Sequence, residues 1–415
     1  MGKAHPATSF LQKQAGERIL IIQTAKIGDL ICSTPVFRAV KKKYPDAHLS
    51  VLVNPVAGKL LEYNPYINEI ISLDNGFYKG FAGKMRLAKM FRNGRYDIVV
   101  SLNPNVPFTL AMLWGLVPVR VSVMPDPRLK PAGTSFSGIT YRLASMFSTH
   151  LEKHIRGRLV VETYMEMLKA IGINDNDISK DVFKSPDADS RVKRFLNETV
   201  ISRQLIKKDE NLSPSPTHPS DGCPAPPIKG GDTSRFPSPL VGEGQGEGGL
   251  VGLAVTSGNR LKEWGAENIS ALTDKLITEL GVKIILIGSE KDSDVSDKIL
   301  TMVEKKNMVV NAVGRLSLSE LPALIERLSF FVGVDTGVIY MADALNIPLV
   351  DIAGPSDMED QRPTGKKVFI IQKKLSCVPC SHTFKAPYNC RYGHRKCITD
   401  ITIEEVFEGV SKLLA

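Results

Sequence analysis

Short apolar runs that each lead into a polar loop and then a helix-period segment constrain this chain more than any other feature. The first is Arg18-Ile-Leu-Ile-Ile22, followed by the loop TAKIGDLICS; Pro35 then opens a helix through Tyr44, with Ser33 or Thr34 available as cap. Further strands are expected at His48 to Val53, Ile70 to Leu73, Asp97 to Leu102 and Arg120 to Val123, and a long helix from Leu159 to Ile171 ends at Gly172. The theme repeats from Val251 to Thr256. A helix over Ala266 to Leu280 closes at Gly281, and strands follow at Val282 to Ile287, Phe330 to Val334 and Leu349 to Ile352. Ser317-x-x-Glu320 reads as a capping box for a helix ending near Leu328. Runs that are apolar on both faces suit parallel strands covered by helices, so the chain is an α/β protein with doubly wound parallel sheets.

A compositional break separates the two halves. Residues 214–249 hold eight prolines and eight glycines, too little side chain to offset the entropy of ordering, and read as a disordered insert. The Gly242-x-Gly244-x-Gly246 run inside it follows no strand and opens no helix, so it lacks the physical basis of a nucleotide loop. The expected organisation is a flexible N-terminus over 1–17, a Rossmann-like domain over 18–207 and the insert or linker over 208–250. A second Rossmann-like domain then spans 251–375, and a cysteine-containing tail with a C-terminal helix spans 376–415.

Composition removes several classes. Hydrophobic content of 43% and charged content of 23% match an ordinary globular chain. No stretch reaches the ~18 continuous apolar residues of a membrane span; Gly115, Pro118 and Arg120 interrupt the nearest, Leu110 to Val121. The first residues lack the apolar core of a secretory signal, which places the protein in the cytoplasm. The net charge is +9, but Lys41 to Lys43 and Lys305–Lys306 sit at helix ends, where they complement the helix dipole rather than form a nucleic-acid stripe. The excess also suits an anionic membrane face or a phosphorylated substrate.

Candidate chemistry lies in the loops after strands. Asp29, beside Gly28 in a loop facing the carboxyl ends of the strands, reads as a general base or as a solvated loop aspartate; Gly28 permits a sharp turn. Asp335-Thr336-Gly337 joins a strand to a helix and can offer its amides to a phosphate, or can be an ordinary cap. Lys262 can neutralise a diphosphate, while Trp264 anchors its loop by packing. Glu290 can bind ribose hydroxyls or serve as a helix N-terminal charge. In the tail, Cys377, Cys380, Cys390 and Cys397, with His382 and His394 interleaved, fit either a structural zinc or reduced thiols in a loop-rich lobe. No Gly-x-Gly-x-x-Gly follows a strand in either half, which argues against a nicotinamide-dependent oxidoreductase.

Together these residues resemble glycosyltransferase family 9, the ADP-heptose:lipopolysaccharide heptosyltransferase family. The resemblance rests on Lys26-Ile-Gly-Asp29-x5-Pro35, Lys262-x-Trp264, Gly288-Ser-Glu290, VGVDTGVIYMADALNIPLVDIAGPSD and the tail CVPC…C…GHRKC. It implies a GT-B architecture, two doubly wound domains facing a central cleft, and an inverting transfer of heptose from ADP-heptose to a lipopolysaccharide core acceptor. By that resemblance Asp29 is the catalytic base, Lys262 meets the donor phosphates, Glu290 the donor nucleoside, and Asp335, Thr336 and Gly337 form the donor-binding turn. Tyr340 stands where the family usually has histidine, and Ala353-Gly-Pro-Ser356 softens the usual aromatic-Gly-Pro-Thr. No cofactor or metal is implied at the diphosphate. The implied partners are the nucleotide-sugar, a lipid-linked oligosaccharide acceptor and the anionic inner face of the inner membrane, not nucleic acid. A transferase using another nucleotide-sugar, or a sugar-binding relic without turnover, is the alternative.

Overall fold

The computed structural model describes residues 17–74, 76–125, 142, 145–199 and 249–415. The expected insert therefore lies outside the described residues except for Gly249, as does the N-terminus before Glu17. Two compact units emerge. The first holds the described residues up to Val182 together with Asp357–Arg362 and Pro379–Pro387; the second holds Phe183–Ser356, Pro363–Val378 and Tyr388–Ala415.

In the first unit the strands are β1 (Arg18–Gln23), β2 (His48–Val53), β3 (Glu69–Ser72), β4 (Ile98–Ser101), β5 (Val119–Met124) and β6 (His150–Lys153), and all pairings are parallel. Their order in the sheet is β3-β2-β1-β4-β5-β6. Helices α1 (Ile27–Lys43), α2 (Gly80–Gly94), α3 (Val106–Trp114) and α4 (Val160–Leu168) complete the unit. Burial follows position in the sheet: β1 and β4 are buried almost throughout, whereas edge strands β3 and β6 hold only half-buried and exposed residues. Central strands need apolar side chains on both faces, which is why they were the legible ones.

The second unit repeats this order. Its strands β7 (Leu250–Ala254), β8 (Lys283–Ile287), β9 (Val309–Asn311), β10 (Phe330–Val334), β11 (Leu349–Ile352) and β12 (Val368–Ile371) form the parallel sheet β12-β11-β10-β7-β8-β9. Counted from its own first strand, this is the same Rossmann order as in the first unit, so both halves have the doubly wound topology expected of a GT-B fold. Here α5 (Ala188–Glu198) joins α6 (Ala266–Leu280), α7 (Ser293–Met302), α8 (Leu321–Ile325), α9 (Gly337–Ala344) and α10 (Ile403–Leu414). Glu320 Oε2 accepts from the Ser317 amide at 2.8 Å, but α8 opens only at Leu321 with Glu320 as its N-cap and no side-chain cap bond, so Ser317 does not cap the helix as expected. The α5 segment is fixed to this unit by the Arg327–Asp189 ion pair at 2.9 Å and by the Ser185 amide donating to Ser319 O. No helix among the described residues is long and apolar enough to cross a membrane.

One expected element begins elsewhere. Helix α1 starts at Ile27, so Pro35 lies inside it and Ser33 and Thr34 are not caps. A proline in a helix interior leaves the carbonyl four residues earlier without its amide partner. That carbonyl is Ile31 O, and the Thr34 hydroxyl donates to it at 2.8 Å. The same hydroxyl accepts from the Asp181 amide at 2.8 Å. Gly28, expected to make a turn, has a buried place in the first turn of α1. Thr34→Val keeps the shape but leaves two buried backbone groups unpaired. It should lower the free energy of unfolding by at least ~1–3 kcal/mol in urea titration.

Candidate functional site

In an open α/β sheet, ligands gather outside the carboxyl ends of the strands where the strand order reverses. In the first unit that point lies between β1 and β4. The loop leaving β1 is clamped there: Asn103, just past β4, accepts from the Thr24 amide through Oδ1 at 2.6 Å, and the Asn54 side chain donates to the Ala25 carbonyl. Neither asparagine was singled out by sequence; the available signal was a short polar residue directly after an apolar strand. The clamped loop feeds α1, and Asp29 falls in the first turn of that helix rather than in the loop. The Lys26 amide donates to Asp29 Oδ2 at 3.3 Å, so the carboxylate sits at the positive end of the helix dipole while remaining half-buried. Behind it, the buried Gln23 amide lies 3.5 Å from both the Asp29 carbonyl and the Tyr164 hydroxyl. Burial, reinforced by the Asp29 charge, pushes the Tyr164 phenol well above its ordinary range.

In the second unit the reversal lies between β7 and β10. Lys262 ends the short turn Arg260–Lys262 after β7, and Asp335 directly follows β10. Their side chains meet, with Lys262 Nζ 2.6 Å from Asp335 Oδ2 and only 17% and 6% of the two side chains exposed. Ser356 donates to the same carboxylate oxygen, and the Tyr340 hydroxyl donates to Asp335 Oδ1 at 2.8 Å. Burial alone would push the Asp335 carboxyl up, but the Lys262 ammonium and the two hydroxyls outweigh it and hold the group below its usual value. Thr336 is the N-cap of α9 yet makes no side-chain cap bond. The hydroxyl and the first-turn amides of α9 thus flank an organised ion pair at a helix N-terminus, which suits a phosphate.

Glu290 lies just beyond β8, the second strand of its unit, and is exposed. Glu290 stands with Asp292 in the first turn of the short helix Glu290–Asp292, and Asp292 makes its capping bonds. Asp292 Oδ2 accepts from the Ser289 amide at 2.7 Å, and its Oδ1 accepts from Thr256 Oγ1 at 2.7 Å. Trp264 packs as expected: it is buried in the unit's core and donates from Nε1 to the Ile401 carbonyl at 2.9 Å.

Residues 240–389 match the family model described as glycosyltransferase family 9 (heptosyltransferase). Across those residues the chain is similar to glycosyltransferase family 9. It is a glycosyltransferase. It is 24% identical over 341 residues to lipopolysaccharide heptosyltransferase 3 of Escherichia coli, covering 81% of this chain and 83% of that one. Among solved structures, the family 9 glycosyltransferase of Veillonella parvula superposes with a TM-score of 0.70 at 19% identity, over 96% of this chain and 97% of that one. The E. coli ADP-heptose lps heptosyltransferase II superposes with a TM-score of 0.64 at 19% identity, covering 96% and 98%.

Tyr340, standing where the resemblance leads one to expect histidine, is turned inward. Tyr340 is 2% exposed and spends its hydroxyl on Asp335. The softened Ala353-Gly-Pro-Ser356 motif has a comparable role through Ser356. Its loop is held by Gln372 Nε2, which donates to the Gly354 and Ser356 carbonyls at 3.2 and 2.6 Å. Gly354 has φ +53°, a conformation that strains other residues, and a Cβ there would press on Ile398 Cδ1 at 2.9 Å.

Metal-capable side chains converge elsewhere than the tail cysteines. Among the described residues the group of three or more is Asp357, Asp360 and His382. Those carboxylates already face imidazoles: His382 Nδ1 is 2.8 Å from Asp357 Oδ2, and His154 Nε2 is 2.9 Å from Asp360 Oδ1. Of the tail thiols, Cys390 is held below its ordinary range by surrounding backbone amides, that of Arg395 foremost.

A second buried acid was not anticipated. Asp351 on β11 is fully buried, and neither of its oxygens meets a hydrogen-bond partner among the described residues. Burial, reinforced by the Asp335 charge, pushes its carboxyl well above the ordinary range. The folded protein therefore keeps a proton that the unfolded chain releases above pH ~3.9, and stability from this group falls as pH rises from there. Asp351→Asn has no proton to lose. Its Tm relative to wild type should climb between about pH 4 and pH 8 in thermal unfolding, and a constant offset would mean that Asp351 is ionised in the fold.

Proposed function

We propose that this glycosyltransferase moves a heptose from ADP-heptose to a sugar of the lipopolysaccharide core, with inversion at the anomeric carbon. The observation that carries the donor side is the Lys262–Asp335 pair set beside the N-terminus of α9. Glu290 stands open one strand further along. That set suits a nucleoside diphosphate: the ammonium and helix terminus meet the phosphates, and the exposed carboxylate meets ribose hydroxyls. The likeness to heptosyltransferases, among them the E. coli ADP-heptose lps heptosyltransferase II, supports the choice of sugar and nucleotide.

In this reading Asp29 takes the proton of the acceptor hydroxyl as its oxygen bonds to the anomeric carbon. The bond from that carbon to the diphosphate oxygen breaks, and ADP departs. A sugar hydroxyl is too weak an acid to ionise beforehand, so the base works as the new bond forms. Charge growing on the ADP oxygen is met by Lys262 and the Thr336–Gly337 amides. Asp335, with Tyr340 and Ser356 as its donors, positions Lys262 instead of touching the reacting atoms. A lipid-linked acceptor would suit an enzyme working in the cytoplasm, on the inner face of the inner membrane.

Two experiments test the reading. Asp29→Asn should lower kcat by ~10²–10⁴ while changing ADP affinity only a few-fold; a fully active variant would remove Asp29 from the chemistry. Calorimetry with ADP, UDP and dTDP tests the donor. Lys262→Gln, which keeps a hydrogen-bond donor for the buried Asp335, should weaken ADP more than adenosine, and Glu290→Ala should weaken both. Each effect should reach about 10- to 150-fold. Binding of UDP or dTDP in place of ADP would overturn the ADP-heptose assignment.

A further inference from the structure

Helix α2 carries a surface that the transfer chemistry does not use. Positions 81, 85, 89 and 92 fall on one stripe of a helix, and here they are Phe81, Met85, Lys89 and Arg92, all exposed. Phe81 is 73% exposed and sits edge-on to Trp114, their ring centroids 6.5 Å apart. Trp114 ends α3, and α3 lies close against α2 at that end: a Cβ on Gly115 would come within 2.9 Å of Phe91 Cβ. The next residue, Leu116, is 66% exposed and has φ +59°. A bulky residue in the left-handed region costs backbone energy, so the fold holds a leucine outward at some strain.

The charge around these apolar groups has one sign. Between Asp74 and Asp97 the sequence has six Lys or Arg residues and no Asp or Glu. Lys79, Lys89 and Arg92 are exposed, and none has a carboxylate partner among the described residues. Aromatic and aliphatic side chains set among unpaired cations match a bilayer with anionic headgroups: the rings enter the headgroup boundary and the cations meet the phosphates. An acidic protein would be matched in charge but would not by itself call for the solvent-facing Phe81, Trp114 and Leu116.

We infer that the face formed by α2 and the Trp114–Leu116 turn docks the protein on an anionic lipid bilayer. Docking is independent of the donor site and is measured without nucleotide or sugar, so its failure and the failure of the heptosyl reading are distinguishable. The test is co-sedimentation of the full chain with phosphatidylcholine vesicles containing or lacking phosphatidylglycerol, at low and high salt. Wild type should bind the anionic vesicles, lose binding as salt rises, and ignore the zwitterionic ones. At about fivefold per charge, the triple variant Lys79→Gln, Lys89→Gln, Arg92→Gln should bind about 100-fold more weakly. The control Lys305→Gln, Lys306→Gln, Lys366→Gln removes the same net charge from exposed positions of the second unit and should bind as wild type. The chain has two tryptophans, and Trp264 is buried, so a blue shift on adding vesicles reports Trp114. Absent binding to anionic vesicles, equal binding of the two triple variants, or an unmoved Trp114 emission would each overturn the inference. Binding of an acidic protein by the patch, with no affinity for vesicles, would do the same.

Discussion

Parallel pairing is the constraint on which the rest of this structure depends. A parallel strand cannot return by a tight turn, so each must be followed by a crossover, and every crossover here leaves from the same edge of its sheet. Where the strand order reverses, neighbouring loops diverge and leave their backbone groups open. Thr24 and Asn103 are brought together by this rule in one unit, and Lys262 and Asp335 in the other. In each case the partners are remote in sequence and adjacent only because β1 lies beside β4 and β7 beside β10.

The second unit also shows how a buried carboxylate can be kept ionised. An isolated ionised acid in the interior is unfavourable by far more than one hydrogen bond can offset. Asp335 is surrounded by an ammonium and two hydroxyls, whereas neither oxygen of Asp351 has a hydrogen-bond partner among the described residues. Two acids near one lysine titrate as a group, and charge on one discourages charge on the other. Asp335 takes the charge and Asp351 the proton. Tyr340, whose hydroxyl donates to Asp335, helps to stabilise that division.

The sequence alone determined the class of fold, the central strands and the helices with strong punctuation. Strands β1 and β10 carry apolar side chains on both faces, and α6 runs to Gly281, whose φ of +64° closes it; such local signals do not depend on the rest of the chain. Edge strands β6, β9 and β12 were not legible, because half-exposed strands carry mixed side chains that also suit loops. The start of α1 was misplaced because Pro35 ordinarily opens a helix; its tolerance inside one depends on the Thr34 hydroxyl reaching Ile31 O. The candidate site residues were nameable from the loops that hold them.

Tertiary structure decided what those residues do to one another. Lys262 and Asp335 were separate candidates in the sequence and are one ion pair in the fold, and Tyr340 and Ser356 are its donors and not independent oddities of two motifs. His382, interleaved with the tail cysteines, pairs with Asp357. Composition could not reveal that α5 packs in the second unit or that Pro379–Pro387 packs in the first. Charge state and partnership are set by distance and desolvation, quantities that linear spacing does not contain, whereas apolar periodicity and turn chemistry act over a few residues and are written in the sequence itself.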